Sequence, residues 1–208
     1  MKNEHVLVID RASMDKVLGN FQGFKKNKPN HLEELLQTPQ FVEREQAECD
    51  PSKKQLIPYC ILTHQNQILI YQRGKSGGEK RLTAKTSIGI GGHINPIDFL
   101  EGETVNKDTY TNATLRELKE ELSGVEVLSS KILGFINDDS NPVGSVHLGV
   151  IELLEVKHPN ILPNEEAIQE PQFKTIPELE ENKHNLENWS QIALKELKKV
   201  LIEESPSS

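Results

Sequence analysis

Residues 116–121 read Arg116-Glu117-Leu118-Lys119-Glu120-Glu121 and sit inside a run, 111–122, that predicts a helix. Ala113, Leu115, Leu118 and Leu122 supply its apolar side, and Gly124 stands just beyond as a left-handed stop. On such a helix Glu120 and Glu121 lie three and four residues after Glu117, so three carboxylates fall on one side. Like charges at this spacing repel, and a solvated face is the usual fate of glutamates on a helix. A hard divalent cation such as Mg²⁺ or Mn²⁺ prefers oxygen ligands and would relieve the repulsion. Arg116 lies four residues before Glu120, within reach to orient a carboxylate.

Outward from this helix the chain is predicted to be strand-rich. Residues 55–63 and 67–72 form two β-rich runs joined at His64-Gln65-Asn66, and 131–136 and 145–156 are further strands. Trp189, Ala193, Leu197, Val200 and Leu201 mark one face of a C-terminal helix. Strands on both sides of a central helix, with another helix at the end, predict a sheet covered on both faces. Towards the N-terminus, 5–9 reads as a strand and 14–18 as a turn of helix. The basic stretch 25–30 reads as a loop, and 31–37 as a short amphipathic helix through Leu32, Leu35 and Leu36. Prolines 159, 163, 171 and 177 predict a loop-rich region, and 205–208 a disordered tail.

The 208 residues include 24 Lys and Arg against 32 Asp and Glu, a net charge of -8. That balance excludes a general binder of long nucleic acid, whose phosphates are held by an excess of Lys and Arg. The longest apolar runs are strand-sized, so no membrane span is expected. The four-residue apolar run near the N-terminus is too short for a signal-peptide core. Two cysteines, Cys49 and Cys60, make neither a disulfide scaffold nor a zinc site, and a cytoplasmic protein is expected.

Two glycine motifs fail on spacing. Gly89-Ile90-Gly91-Gly92 would need its third dinucleotide-fingerprint glycine at Ile94, and Gly74-Lys75-Ser76 would need a P-loop glycine at Leu69. Arg73, Lys75, Lys80, Arg81 and Lys85 nevertheless form a basic segment with one acid, Glu79. A phosphate-contact surface and a solvated loop both account for it.

The pattern Arg-Glu-aliphatic-any-Glu-Glu resembles the Nudix hydrolases, whose box is G-x5-E-x7-R-E-U-x-E-E-x-G-U, with U aliphatic. Counting back from Arg116, Asp108 stands where the family has Glu, and Gly124 falls one residue late. Gly91-Gly92-His93-Ile94 resembles the paired glycine that opens the box at a strand end. On this reading Gly102 is coincidental and about ten residues are inserted before Asp108. Glu101 and Glu103 in the insert are alternatives to Asp108 for the missing glutamate. Gln55-Leu56-Ile57-Pro58-Tyr59, Arg73 at the end of its strand, and Gly89-Ile90-Gly91-Gly92-His93-Ile94-Asn95 point to a little-characterised branch of this family.

The resemblance implies an α+β fold, a Nudix-like α/β/α sandwich with a mixed β-sheet over 55–204, plus an N-terminal extension, 1–54. It implies Mg²⁺- or Mn²⁺-dependent hydrolysis of a diphosphate linkage in a nucleoside diphosphate derivative or similar small phosphorylated metabolite. Glu117, Glu120, Glu121 and Asp108 would be metal ligands, with Glu117, Glu120 and Arg116 catalytic. Arg73, Lys75, Arg81, Gly91, Gly92 and His93 would contact the substrate. The base is open between a box carboxylate and Glu165, Glu166 or Glu170 of a later loop. His147, in an apolar strand, is expected to pack or face the pocket floor. An isopentenyl diphosphate isomerase would need a cysteine near the glycine turn, which Gly91-Gly92-His93 lacks. A ligand-binding or regulatory module with a weakened box, or an interaction protein, are the non-enzymatic alternatives. A homodimer is compatible with the sequence, which does not fix the assembly.

Overall fold

Aliphatic and β-branched runs become strands, and capped amphipathic runs become helices. The computed structural model describes residues 4–74, 85–99 and 104–203. The N-terminal part runs β1 (His5–Asp10), α1 (Arg11–Leu18), β2 (Gly23–Lys26), α2 (His31–Leu35), β3 (Gln40–Glu43) and α3 (Arg44–Ala47). Then come β4 (Lys53–His64), β5 (Gln67–Arg73), β6 (Thr86–Ser87), β7 (Ile90–Gly91), a 3-10 turn at Pro96–Asp98, and α4 (Lys107–Glu121). The remainder is β8 (Leu122–Ser123), β9 (Val127–Asn137), α5 (Pro142–Ser145), β10 (His147–Val156), β11 (Leu162–Pro163), β12 (Ile168–Lys174), α6 (Ile176–Glu181) and α7 (Asn188–Glu203).

Hydrogen-bonded strands follow the order β12-β5-β4-β10-β9-β2, with β1 beside β4 and β3 beside β1. Gln55 N donates to Val146 O (2.7 Å), and further along both strands Thr63 Oγ1 donates to Leu154 O (3.3 Å). β4 and β10 therefore run parallel, which requires a long crossover; α4 lies within it. β12 with β5, β5 with β4 and β2 with β9 are antiparallel, so the sheet is mixed, as expected.

The chain forms two compact units, 1–59 with 91–117 and 132–151, and 60–90 with 118–131 and 152–208. The core of the first unit gathers Leu7, Ile9, Met14, Leu56, Tyr110, Ala113, Phe135 and Val150. Cys60, Leu62, Leu69, Tyr71, Leu118, Leu154 and Ile168 fill the second. Each Val, Leu, Ile, Met or Phe among them contributes roughly 1.5–3 kcal/mol on burial. The first unit also buries an ionic cluster. Lys54, fully buried, donates to Asp139 Oδ1 (2.7 Å) and Gly144 O (2.8 Å), while Arg11 binds both Asp139 oxygens at 2.9 Å.

Several local expectations are corrected. α4 begins four residues early because Asn106 Oδ1 caps it, accepting from the backbone N–H groups of Asp108 (2.8 Å) and Thr109 (3.1 Å). Leu115 is 43% exposed and does not join the core. Gly124 has a positive φ of 79°, yet β8 separates it from the end of α4. The basic stretch 25–30, expected as a loop, begins as strand, since β2 pairs Lys25 with Phe135 and Lys26 with Gly134 of β9. The proline-punctuated region holds regular structure too. Pro171 sits at an irregularity in β12, and Pro177 opens α6 inside a Thr175–Glu178 capping box. The 205–208 tail lies outside the described residues. Among the described residues no helix is long and apolar enough to cross a membrane.

Candidate functional site

In the first unit, β7 presses Gly91 so closely on β4 that a Cβ there would overlap the Pro58 carbonyl. The next residue, Gly92, lies under α4, where a Cβ would overlap the Glu117 carboxylate. A Cβ is crowded at both positions, but the obstacles differ. Gly91→Ala meets backbone and is expected to destabilise by about 1–3 kcal/mol. Gly92→Ala meets the end of a side chain and is expected to displace Glu117 at a cost below about 1 kcal/mol. Urea unfolding of the two variants checks the order.

Arg116 is the hub of this site. Its Nε donates to Asp98 Oδ1 (2.7 Å), Nη1 to Glu117 Oε1 (2.7 Å), and Nη2 to Asp98 Oδ2 (2.9 Å), His93 O (2.9 Å) and Asn95 Oδ1 (3.1 Å). The bonds to Asp98 raise the guanidinium pKa, so Arg116 is a permanent cation holding the Glu117 carboxylate in place. Asp98 is only 4% exposed and also accepts from the Asn95 backbone N–H at 2.7 Å.

Asp98 is the residue that the sequence reading missed. Its signal was present in Asn95-Pro96-Ile97-Asp98, a capping-box spacing with proline at the first position. Asp108, the expected substitute for the box glutamate, lies in the exposed first turn of α4. Nine residues of helix put it about 13–14 Å along the axis from Glu117. The carboxylates bonded to Arg116 are those of Asp98 and Glu117. Glu101 and Glu103 lie outside the described residues.

His93 is half-buried, with Nε2 2.9 Å from Gln55 Oε1 and its ring 5.7 Å from that of His147. Burial first, then the charge of Arg44 and the neighbouring His147, pull its pKa down to about 3, so the ring is neutral near pH 7.

In the second unit, Glu120 is exposed and Glu121 half-buried near the end of α4. Arg73 Nη1 points to Glu187 Oε2 at 3.4 Å, and the buried Glu187 also accepts from Ser87 Oγ at 2.6 Å. The Lys85 ammonium donates to the His184 carbonyl at 3.3 Å. Lys75, Lys80 and Arg81 lie outside the described residues. Glu165 and Glu166 are exposed, and Glu170 accepts from Gln72 at 3.1 Å.

The carboxylates have the hard-oxygen chemistry that Mg²⁺ needs. Among the described residues, however, no three His, Cys, Asp or Glu side chains gather as a cation site. The arrangement does not meet the expected metal fit.

A mixed sheet with α4 in its crossover, a paired glycine under a helix glutamate, and an Arg-Glu-x-x-Glu-Glu run define a Nudix-type protein. No family model matches the sequence. Protein YmaB of Bacillus subtilis is 37% identical over 158 residues, 74% of this chain and 75% of YmaB. Among solved structures, the Nudix-class protein Tm1382 superposes with a TM-score of 0.79 and 28% identity, covering 95% of this chain and 99% of that one. The Nudix domain of Shewanella oneidensis NrtR, complexed with ADP ribose, shares the fold with a TM-score of 0.51 and 12% identity, covering 72% and 88%. The chain belongs to the Nudix hydrolase superfamily.

Proposed function

We propose that this chain is a Nudix-fold ligand-binding or regulatory module for a small phosphorylated ligand, with weakened hydrolysis. The observation that carries this reading is the state of the box. Glu117 is tied to Arg116 over Gly92, and the described acidic and imidazole side chains form no group of three for a cation. The NrtR Nudix domain holds ADP ribose on the same fold, and a nucleoside diphosphate derivative of that class supplies the ligand this reading requires. In the first unit Gly91, Gly92 and His93 are the assigned ligand contacts. In the second, Arg73 is assigned with Lys75 and Arg81.

The retained Glu117, Glu120 and Glu121 favour a second reading, Mg²⁺- or Mn²⁺-dependent hydrolysis of a phosphoanhydride bond. One experiment separates the two. The wild type and a Glu120→Gln, Glu121→Gln variant are incubated with nucleotide sugars, dinucleotides and nucleoside triphosphates plus Mg²⁺, with binding followed by calorimetry. The module binds at least one diphosphate and releases phosphate or monophosphate within about tenfold of the variant's rate, a barrier difference of about 1.4 kcal/mol. Turnover a hundredfold above the variant makes the protein a hydrolase and ends the module reading.

A further inference from the structure

The second unit holds a cavity on the face of β5 turned away from α4. Leu69 and Tyr71 of that strand pack with Leu118 and Leu122. Alternation along the strand therefore turns Ile70 and Gln72 to the opposite face. Gln172 and Lys174 of β12 pair with Ile70 and Ile68, which puts them on that face too. α6 and the turn Lys183–Asn185 close over it, leaving a cavity of about 400 Å³, within the size range of small-ligand sites. Ile70, Leu179 and Leu186 give the cavity an apolar wall.

The polar lining is engaged unevenly. Gln72 Nε2 donates to Glu170 Oε2 (3.1 Å) and Lys174 Nζ to Glu178 Oε1 (3.2 Å). The other Glu178 oxygen accepts from the Thr175 backbone N–H and hydroxyl, each at 2.8 Å. The Lys174 ammonium is thereby occupied, and Glu170, Glu178 and Glu181 outnumber it, so the lining repels a phosphate. Gln172, Glu181 and Asn185 are exposed, and among the described residues their side chains have no hydrogen-bond or ion-pair partner. Each of the two amides offers donors and an acceptor on one plane, and the carboxylate offers acceptors. A hydroxyl both donates and accepts, so neighbouring hydroxyls on one ring answer all three groups. An ammonium only donates and would leave the amide N–H₂ groups unanswered.

We propose that this cavity is a second ligand site, separate from the box, for an uncharged polyhydroxylated ring of the sugar or cyclic-polyol class. Its hydroxyls bond to Gln172, Glu181 and Asn185, and its C–H face lies on the wall of Ile70, Leu179 and Leu186. The site goes beyond the diphosphate reading and does not depend on it.

The test titrates glucose, galactose, mannose, myo-inositol, glucose 6-phosphate and agmatine into the ¹⁵N-labelled full chain without metal, following side-chain amide signals by NMR. At least one neutral polyol is expected to shift the Gln172 and Asn185 signals saturably, with a Kd on the order of millimolar for so small a ligand. Glucose 6-phosphate and agmatine are expected to bind at least about tenfold more weakly. Gln172→Ala and Asn185→Ala should each weaken polyol binding about fivefold, the worth of one net hydrogen bond. Because both side chains are exposed, Tm should stay within about 2 °C of the wild type. The site is overturned if no polyol moves the two signals, or if they move no more than those of the exposed Gln65. It is overturned equally if agmatine or glucose 6-phosphate binds as tightly as the polyols, or if both variants bind polyol like the wild type. Should a variant lower Tm by more than about 5 °C, the wild-type signals decide alone. A saturable shift then supports the site, and its absence refutes it.

Discussion

Replacing Asp98 by Asn is expected to destabilise the protein by about 3–5 kcal/mol, the usual consequence of removing one partner of a buried ion pair. Asp98 is almost inaccessible, and both its oxygens are occupied by the Arg116 fork and the Asn95 backbone N–H. An amide in its place turns an N–H₂ towards one of these donors and leaves Arg116 with Glu117 as its remaining charged carboxylate at bonding distance. For a chain of this size the loss corresponds to a Tm drop of roughly 6–20 °C. Asp108→Asn, on the exposed first turn of α4, removes only a favourable dipole contact and is expected to change stability by less than about 1 kcal/mol. Thermal melts of the two variants decide which aspartate supports the box arginine. Equal effects would remove Asp98 from that role.

The second large effect is expected in the ionic cluster beneath α5. Asp139→Asn should cost about 3–5 kcal/mol, because it strips the carboxylate from Lys54, which is wholly buried, and from Arg11. Lys54→Met should cost far less, since Asp139 keeps its two bonds to Arg11 and a buried ammonium disappears. Burial already pulls the Lys54 pKa down, against the pull of Asp139. Hydrogen bonds from Arg11, then Lys54, hold the Asp139 carboxyl below its ordinary value. A depressed carboxyl stabilises the fold above its unfolded pKa of 3.8, and the contribution disappears as pH falls towards its folded value. The penalty of Asp139→Asn should therefore be full at pH 7 and shrink below pH 3.8. Denaturant midpoints across that range measure it.

What was legible in the sequence was what is periodic. The carboxylate run and the apolar side of α4 repeat with helical spacing, and the paired glycine marks a close approach of backbone, so the fold and the Arg116–Glu117 corner were predictable. Asp98 was not, because its bond to Arg116 crosses eighteen residues with no periodicity. Only the capping-box spacing announced that its carboxylate was structurally engaged. The Gln55–His93 pair depends on β7 docking against β4, a long-range event that neither motif encodes alone. Leu115 was misplaced because helical spacing assigns it to the apolar side, whereas burial depends on what lies opposite. The prolines were read as loop markers, yet one begins a helix and another sits at a strand irregularity, positions where the missing N–H is not needed.

That irregular strand bears on how copies of the molecule can meet. β12 ends the sheet among the described residues, and an outer strand with open N–H and C=O groups invites a second chain to pair with it. Here the outer row is interrupted. Glu170 has a positive φ of 51°, the register shifts between Gln169 and Gln172, and Pro171 lacks a donor. A neighbouring strand would lose its ladder midway. Continuous sheet extension across that border is therefore disfavoured, which leaves the β2 and β3 borders as the edges where a second chain could pair.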